Sequence, residues 1–144
     1  MNLRIYLDNC CLNRPYDNQS QLRVRFETQA KLYIQKMIIN RELQLVWSYI
    51  LKFENSCNPF EAKRHAISQW EKLSSLFVEM SDEIVSMAEK ITTTGIKNTD
   101  ALHIACAITS NCHYFITVDK RLLTYNDNRI IICNPIDFFN QIEI

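Results

Sequence analysis

The chain reads as an α/β protein: one domain spanning 1–144, with a mostly parallel five-stranded sheet flanked by helices on both faces. Three observations predict this. Short β-rich runs recur at 3–7, 43–47, 76–80, 114–118 and 130–133. Stretches with helical spacing separate most of them. The runs are continuously apolar rather than alternating, as in strands covered on both faces.

Taken in order, LRIYL is the first strand and Asp8 ends it. Residues 9–19 are polar and contain Pro15, which predicts a loop or broken turn. Ser20 can cap a long helix to about Ile39. Its apolar positions are Leu22, Phe26, Ala30, Tyr33, Ile34, Met37 and Ile38, with Asn40 suited to its end. LQLVW is the second strand, and Ser48 caps a helix through Tyr49, Ile50, Phe53 and Glu54 to about Ser56. Asn58-Pro59 predicts another helix start, with proline at the first position, running past Trp70. A weaker third strand follows at 76–80, then a helix capped by Ser81 or Asp82 through Ile84, Val85, Ala88 and Ile91.

A loop around Gly95 leads to the stretch that organises the chain, NTDALHIACAITSNCHYFITVDK. A polar triplet, Asn98-Thr99-Asp100, precedes a small apolar helix from Ala101 to about Thr109. A break at Ser110-Asn111 precedes the fourth strand, 114–118, which Asp119 stops. Leu122 and Leu123 close a short turn, 130–133 is the fifth strand, and Asn134-Pro135 opens a last helix through Phe138 and Phe139.

Composition removes several function classes. The one glycine, Gly95, rules out glycine-rich dinucleotide and phosphate loops and the G-x-S-x-G elbow. Asparagines at 40, 111, 126 and 128 are the expected substitutes at left-handed turns. Six cysteines (Cys10, Cys11, Cys57, Cys106, Cys112 and Cys133) form no C-x-x-C pair and read as reduced thiols in a core. No apolar run approaches a membrane span and the N-terminus lacks signal-peptide features, so the expected compartment is the cytoplasm, with no membrane partner. Sixteen basic and sixteen acidic residues cancel, so contact with a polyanion needs a local patch or metal ions.

The carboxylates carry the functional reading. In a parallel sheet, ligands bind beyond the carboxyl ends of the strands. Asp8 ends strand one, Asp119 ends strand four, and Asp100 begins the helix that returns into strand four. Glu54 sits on an apolar stretch of the helix leaving strand two. Each has an ordinary reading as a helix-start acid, a turn cap or a solvated residue. Together they would meet at one rim and repel one another. A divalent cation such as Mg²⁺ or Mn²⁺ relieves that repulsion, and it can bind a phosphodiester and activate water.

These motifs, IYLDNC, SYILKFEN, NTDALHIACA and FITVDKRLL, resemble those of PIN-domain proteins, including VapC-type toxin ribonucleases, over essentially the whole chain. The resemblance implies an acidic pocket for Mg²⁺ or Mn²⁺ and endonucleolytic cleavage of RNA, leaving a 5′-phosphate and a 3′-hydroxyl. It implies a catalytic and metal-binding quartet of Asp8, Glu54, Asp100 and Asp119. Thr117 matches the family's hydroxyl two residues before the last acid. Asn9 stands where many members have Ser or Thr, and can still contact a water or phosphate. Toxin-like members commonly pair with an antitoxin protein and form homodimers.

The substrate-binding expectations are therefore Asn9, Arg14, Thr117 and Lys120, with Arg121 also near the rim. Arg14, Lys120 and Arg121 read equally well as solvated surface residues. Tyr16 reads as packing over its loop or stacking on a base, and His103 as a structural histidine bonded within the helix layer. Rival readings are a PIN fold kept as an inactive RNA-binding or protein-interaction module, and two phosphoaspartate folds. A haloacid-dehalogenase-type phosphatase needs a second acid where Cys10 stands; a receiver domain needs paired acids where Asn9 follows Asp8.

Overall fold

The computed structural model describes residues 3–142. Its strands are β1 (Leu3–Leu7), β2 (Leu43–Ser48), β3 (Leu76–Val78), β4 (Tyr114–Ile116) and β5 (Ile131–Cys133). The helices are α1 (Asn9–Asn13), α2 (Leu22–Ile39), α3 (Tyr49–Ser56), α4 (Glu61–Glu71), α5 (Asp82–Thr92), α6 (Asn98–Thr109), α7 (Lys120–Leu123) and α8 (Pro135–Ile142). The strands form one sheet in the order β3-β2-β1-β4-β5, and every pairing is parallel. Tyr6 lies opposite Val46 on one side and Phe115 on the other.

Ile5, Tyr6 and Leu7 are all buried. Successive side chains point to opposite faces of a sheet, so both faces of β1 are covered. On one face Tyr6 stacks on Phe115 and meets His103 of α6 edge-on. On the other, Tyr114 meets Phe138 of α8 edge-on. The predicted parallel α/β architecture is the one observed.

Several local expectations differ. Residues 9–19 are not wholly loop: Asp8 caps α1, and a 3₁₀ turn, Arg14–Tyr16, follows. Pro15 sits at the start of that turn, where a missing N–H costs nothing. Ser20 does not cap α2; the cap position is Gln21, without a side-chain bond. The helix after Asn58-Pro59 begins only at Glu61, because Asn58 Oδ1 accepts from Phe60 N (3.1 Å) and holds a turn. Asn98-Thr99-Asp100 form the first turn of α6 rather than preceding it. Among the predicted left-handed asparagines only Asn111 has positive φ (61°); Arg41 (63°) takes the position after α2 that Asn40 was expected to fill. Glu42 N there bonds Met37 O (2.8 Å), closing the helix end.

The largest departure is the core-facing side of α2. It consists of Val24, Glu27, Thr28, Lys31, Ile34, Met37 and Ile38, while Leu22, Phe26 and Tyr33 are about half exposed at 54%, 55% and 50%. Tertiary partners explain the polar half. Arg14 donates to Glu27 Oε1 at 2.7 and 3.0 Å, and Lys31 Nζ lies 5.6 Å from the Trp70 ring centroid. Apolar residues alone thus mislead about which side turns inward. All six cysteines are free, four of them buried.

Candidate functional site

Strand order reverses between β1 and β4: the chain builds outward through β2 and β3, then returns to add β4 and β5 on the other side. The crevice beyond the carboxyl ends of two such strands is where open α/β sheets bind ligands. Asp8 follows β1 here and Asp119 lies just past β4.

Asp8 is nearly buried, at 5% exposure, and its carboxylate is fully engaged. Oδ1 accepts from Asn9 N (2.8 Å); Oδ2 accepts from Thr117 Oγ1 (2.9 Å) and from Cys10 Sγ (3.2 Å). Thr117 Oγ1 in turn accepts from Asp119 N (3.1 Å). One hydroxyl therefore ties the first acid to the backbone of the last. Asp119 caps α7, with Oδ1 accepting from Arg121 N at 2.9 Å.

Asp100 projects from the first turn of α6 and is half-buried. It makes no side-chain hydrogen bond or ion pair among the described residues. Burial raises its pKa above the ordinary carboxylate value; the charges of Asp8 and Asp119 raise it further, as does that of Glu54, against a lowering from His103. The charges of the other three acids thus reach Asp100. Glu54, near the end of α3, is bonded through Oε1 to His103 Nε2.

His103 is buried at 1% exposure. It bonds not only within the helix layer, to Glu54, but also down into the sheet, where Nδ1 meets Tyr6 OH at 2.6 Å. Sequence reasoning found the histidine but missed Tyr6 and Ser48, whose Oγ lies 2.6 Å from the same hydroxyl. The only signal available was a tyrosine between Ile5 and Leu7 in the strand.

The expected substrate contacts divide. Thr117 is fully buried, and its hydroxyl is bonded to the Asp8 carboxylate and to Asp119 N. Arg14 is held by Glu27 and by Asp17 (3.0 Å), which neutralises it within the fold. Lys120 and Arg121 are exposed, and Asn9 is half-buried with its Oδ1 accepting from Asn13 Nδ2 (3.2 Å). Tyr16 is exposed, with Lys63 Nζ 5.7 Å from its ring centroid.

No three His, Cys, Asp or Glu side chains among the described residues converge closely enough to enclose an ion. The donor chemistry nevertheless fits Mg²⁺ or Mn²⁺. These hard cations take oxygen ligands, and Mg²⁺ commonly binds through one or two carboxylates while keeping several waters. The repulsion borne by Asp100 is what such a charge relieves. Two of the molecule's clefts lie elsewhere: one of about 390 Å³ beside α3 and α4, lined by Trp47, Asn55 and Arg64, and one of about 720 Å³ near His113 and Arg129.

The sequence matches the PIN domain family over residues 5–128. The chain belongs to the PIN-domain family. Members of this family are in general nucleases, hydrolases that use divalent metals. No curated protein sequence matches this PIN domain. Two solved structures share its fold. VapBC2 from Rickettsia felis, bound to a DNA fragment from its promoter, is 14% identical, with 92% of this chain and 98% of that chain covered and a TM-score of 0.58. VapBC-1 from nontypeable Haemophilus influenzae is 17% identical, with 93% and 99% covered and a TM-score of 0.57. No described helix of the PIN domain is long and apolar enough to cross a membrane.

Proposed function

We propose that this PIN domain, taken as the unit 1–144, is a Mg²⁺- or Mn²⁺-dependent endoribonuclease and the toxin of a toxin–antitoxin pair. The observation that carries the reading is Asp100. It is a half-buried carboxylate without a described partner, raised in pKa by burial and by Asp8, Asp119 and Glu54. An arrangement of this kind is costly to keep unless a cation or substrate uses it.

In this reading Asp8, Glu54, Asp100 and Asp119 hold the metal. A bound Mg²⁺ or Mn²⁺ supplies positive charge to the phosphodiester and acidity to a water. Thr117 holds Asp8 in a single orientation, and Asp119 is fixed by its place at the start of α7. Asn9 and the exposed Lys120 offer polar and cationic contacts to the RNA backbone. The two structural relatives are VapBC assemblies, which supports a protein antitoxin as partner. The stripe of Leu22, Phe26 and Tyr33 gives an antitoxin or a second copy apolar surface to cover. Cytoplasmic RNA is the substrate class.

The test is cleavage of a mixed RNA substrate with Mg²⁺ or Mn²⁺, with and without chelator, by the wild type, Asp8→Asn and Asp119→Asn. Cleavage that needs metal and disappears in both variants, with thermal unfolding still cooperative, is the expected result. Undiminished activity in both variants, or none in the wild type on any RNA, refutes the reading and leaves a binding module.

A further inference from the structure

The buried groups around Glu54 form a continuous hydrogen-bonded chain. An ionised carboxylate only accepts, so the bond between His103 and Glu54 requires a hydrogen on His103 Nε2. On the other side of the ring, Nδ1 lies 2.6 Å from Tyr6 OH, which itself lies 2.6 Å from Ser48 Oγ. Ser48 Oγ accepts from Leu51 N at 3.1 Å as the cap of α3. Leu51 N–H, Ser48, Tyr6 and His103 thus form one hydrogen-bonded chain that ends at Glu54. The deeper members have no contact with water: Ser48 and Tyr6 are 0% exposed and His103 is 1% exposed.

This arrangement reaches across the molecule. Tyr6 is on β1, Ser48 ends β2, Glu54 is on α3 and His103 is on α6. Tyr6 is also clamped by its stacked contact with Phe115, ring centroids 5.3 Å apart. The imidazole therefore has one orientation, and it dictates which oxygen of Glu54 is taken. An outer group that orients a ligating side chain in this way is a recurrent feature of metal sites.

We propose that His103 is a positioning residue of the acidic rim, held at Nδ1 by the Tyr6 hydroxyl and bonded through Nε2 to Glu54, and that it presents Glu54 to the metal with one oxygen engaged and the other free. The proposal rests on Glu54 being a metal ligand, as read above. The histidine touches neither substrate nor metal.

The experiment combines Mn²⁺ calorimetry with thermal unfolding. It uses the wild type, Tyr6→Phe, His103→Gln and His103→Ala. Mn²⁺ affinity should fall about 10- to 100-fold in His103→Ala and several-fold in Tyr6→Phe, which keeps the ring packing. His103→Gln, whose amide can still donate to Glu54, should recover most of the affinity. A purely structural role predicts lower unfolding temperatures with unchanged Mn²⁺ affinity, and that result overturns the proposal. A wild type that binds no Mn²⁺ removes the acidic-site reading and this proposal with it, whereas equal binding by wild type and variants removes this proposal alone.

Discussion

Replacing Thr117 with valine removes one hydroxyl and little volume, and the structure says what that costs. The hydroxyl donates to Asp8 Oδ2 at 2.9 Å and accepts from Asp119 N at 3.1 Å, in a position of 0% exposure. A hydrogen bond to a charged group contributes about 1.5–3 kcal/mol. Asp8 keeps Asn9 N and the weaker Cys10 thiol as donors, so its charge is not stranded. Asp119 N is nearer solvent and adds a smaller loss. The expected destabilisation is about 2–3 kcal/mol, a fall of about 1–2 M in the urea midpoint for a chain of this size. The control is the same change on an Asp8→Asn background, where the hydroxyl faces a neutral amide and the loss should shrink to about 1 kcal/mol. Equal losses in the two backgrounds, or a loss below about 0.5 kcal/mol in the first, would show that Thr117 does not hold the Asp8 charge.

Asp100→Asn should stabilise the metal-free protein. A carboxyl whose folded pKa is raised binds its proton more tightly than the unfolded chain does, so stability falls as pH rises from the ordinary 3.8 through the raised value and stays lowered at neutrality. Half-exposure and screening keep the gain small, about 1–3 °C in Tm at pH 7, and it should disappear below about pH 3.5; a lower Tm for the variant at pH 7 would contradict the mutual repulsion of the acids. Arg14→Ala should cost about 2–4 kcal/mol, because it leaves the nearly buried Glu27 with only Arg23 at 3.9 Å. Lys120→Ala should leave unfolding unchanged and weaken RNA binding, measured by fluorescence anisotropy on an Asp8→Asn background. The opposite pattern would return Arg14 to the substrate side.

What the sequence made legible, and what it hid, follows one distinction. β1, β2 and α3 were readable because their signals are local: a β-rich run closed by an acid, or Ser48 standing directly before an apolar helix and accepting from Leu51 N. The meeting of Asp8 with Asp119 was readable from topology, since parallel strands place their carboxyl ends together. The inner side of α2 was not, because Glu27 and Lys31 are drawn inward by Arg14 and Trp70, which no helical period reports. His103 was visible as a residue but not as a connection, for its partners are 97 and 49 positions away. The partners of Arg14 were hidden for the same reason: nearness to the rim in sequence says nothing about a carboxylate on the next helix.

The sheet order also sets a timetable. β1 is the first of the five strands to leave the ribosome, yet it lies in the middle of the finished sheet, beside β4. The bond that orients Asp8 joins residues 109 positions apart. At about 5–20 residues per second, roughly 5–20 s of synthesis separate the first acid from the hydroxyl that orients it. Contacts this distant in sequence are also among the slower ones to form. A half-made chain therefore carries Asp8 and Glu54 but no completed rim, and the ribosome that produces it is not exposed to an assembled site until most of the chain has emerged.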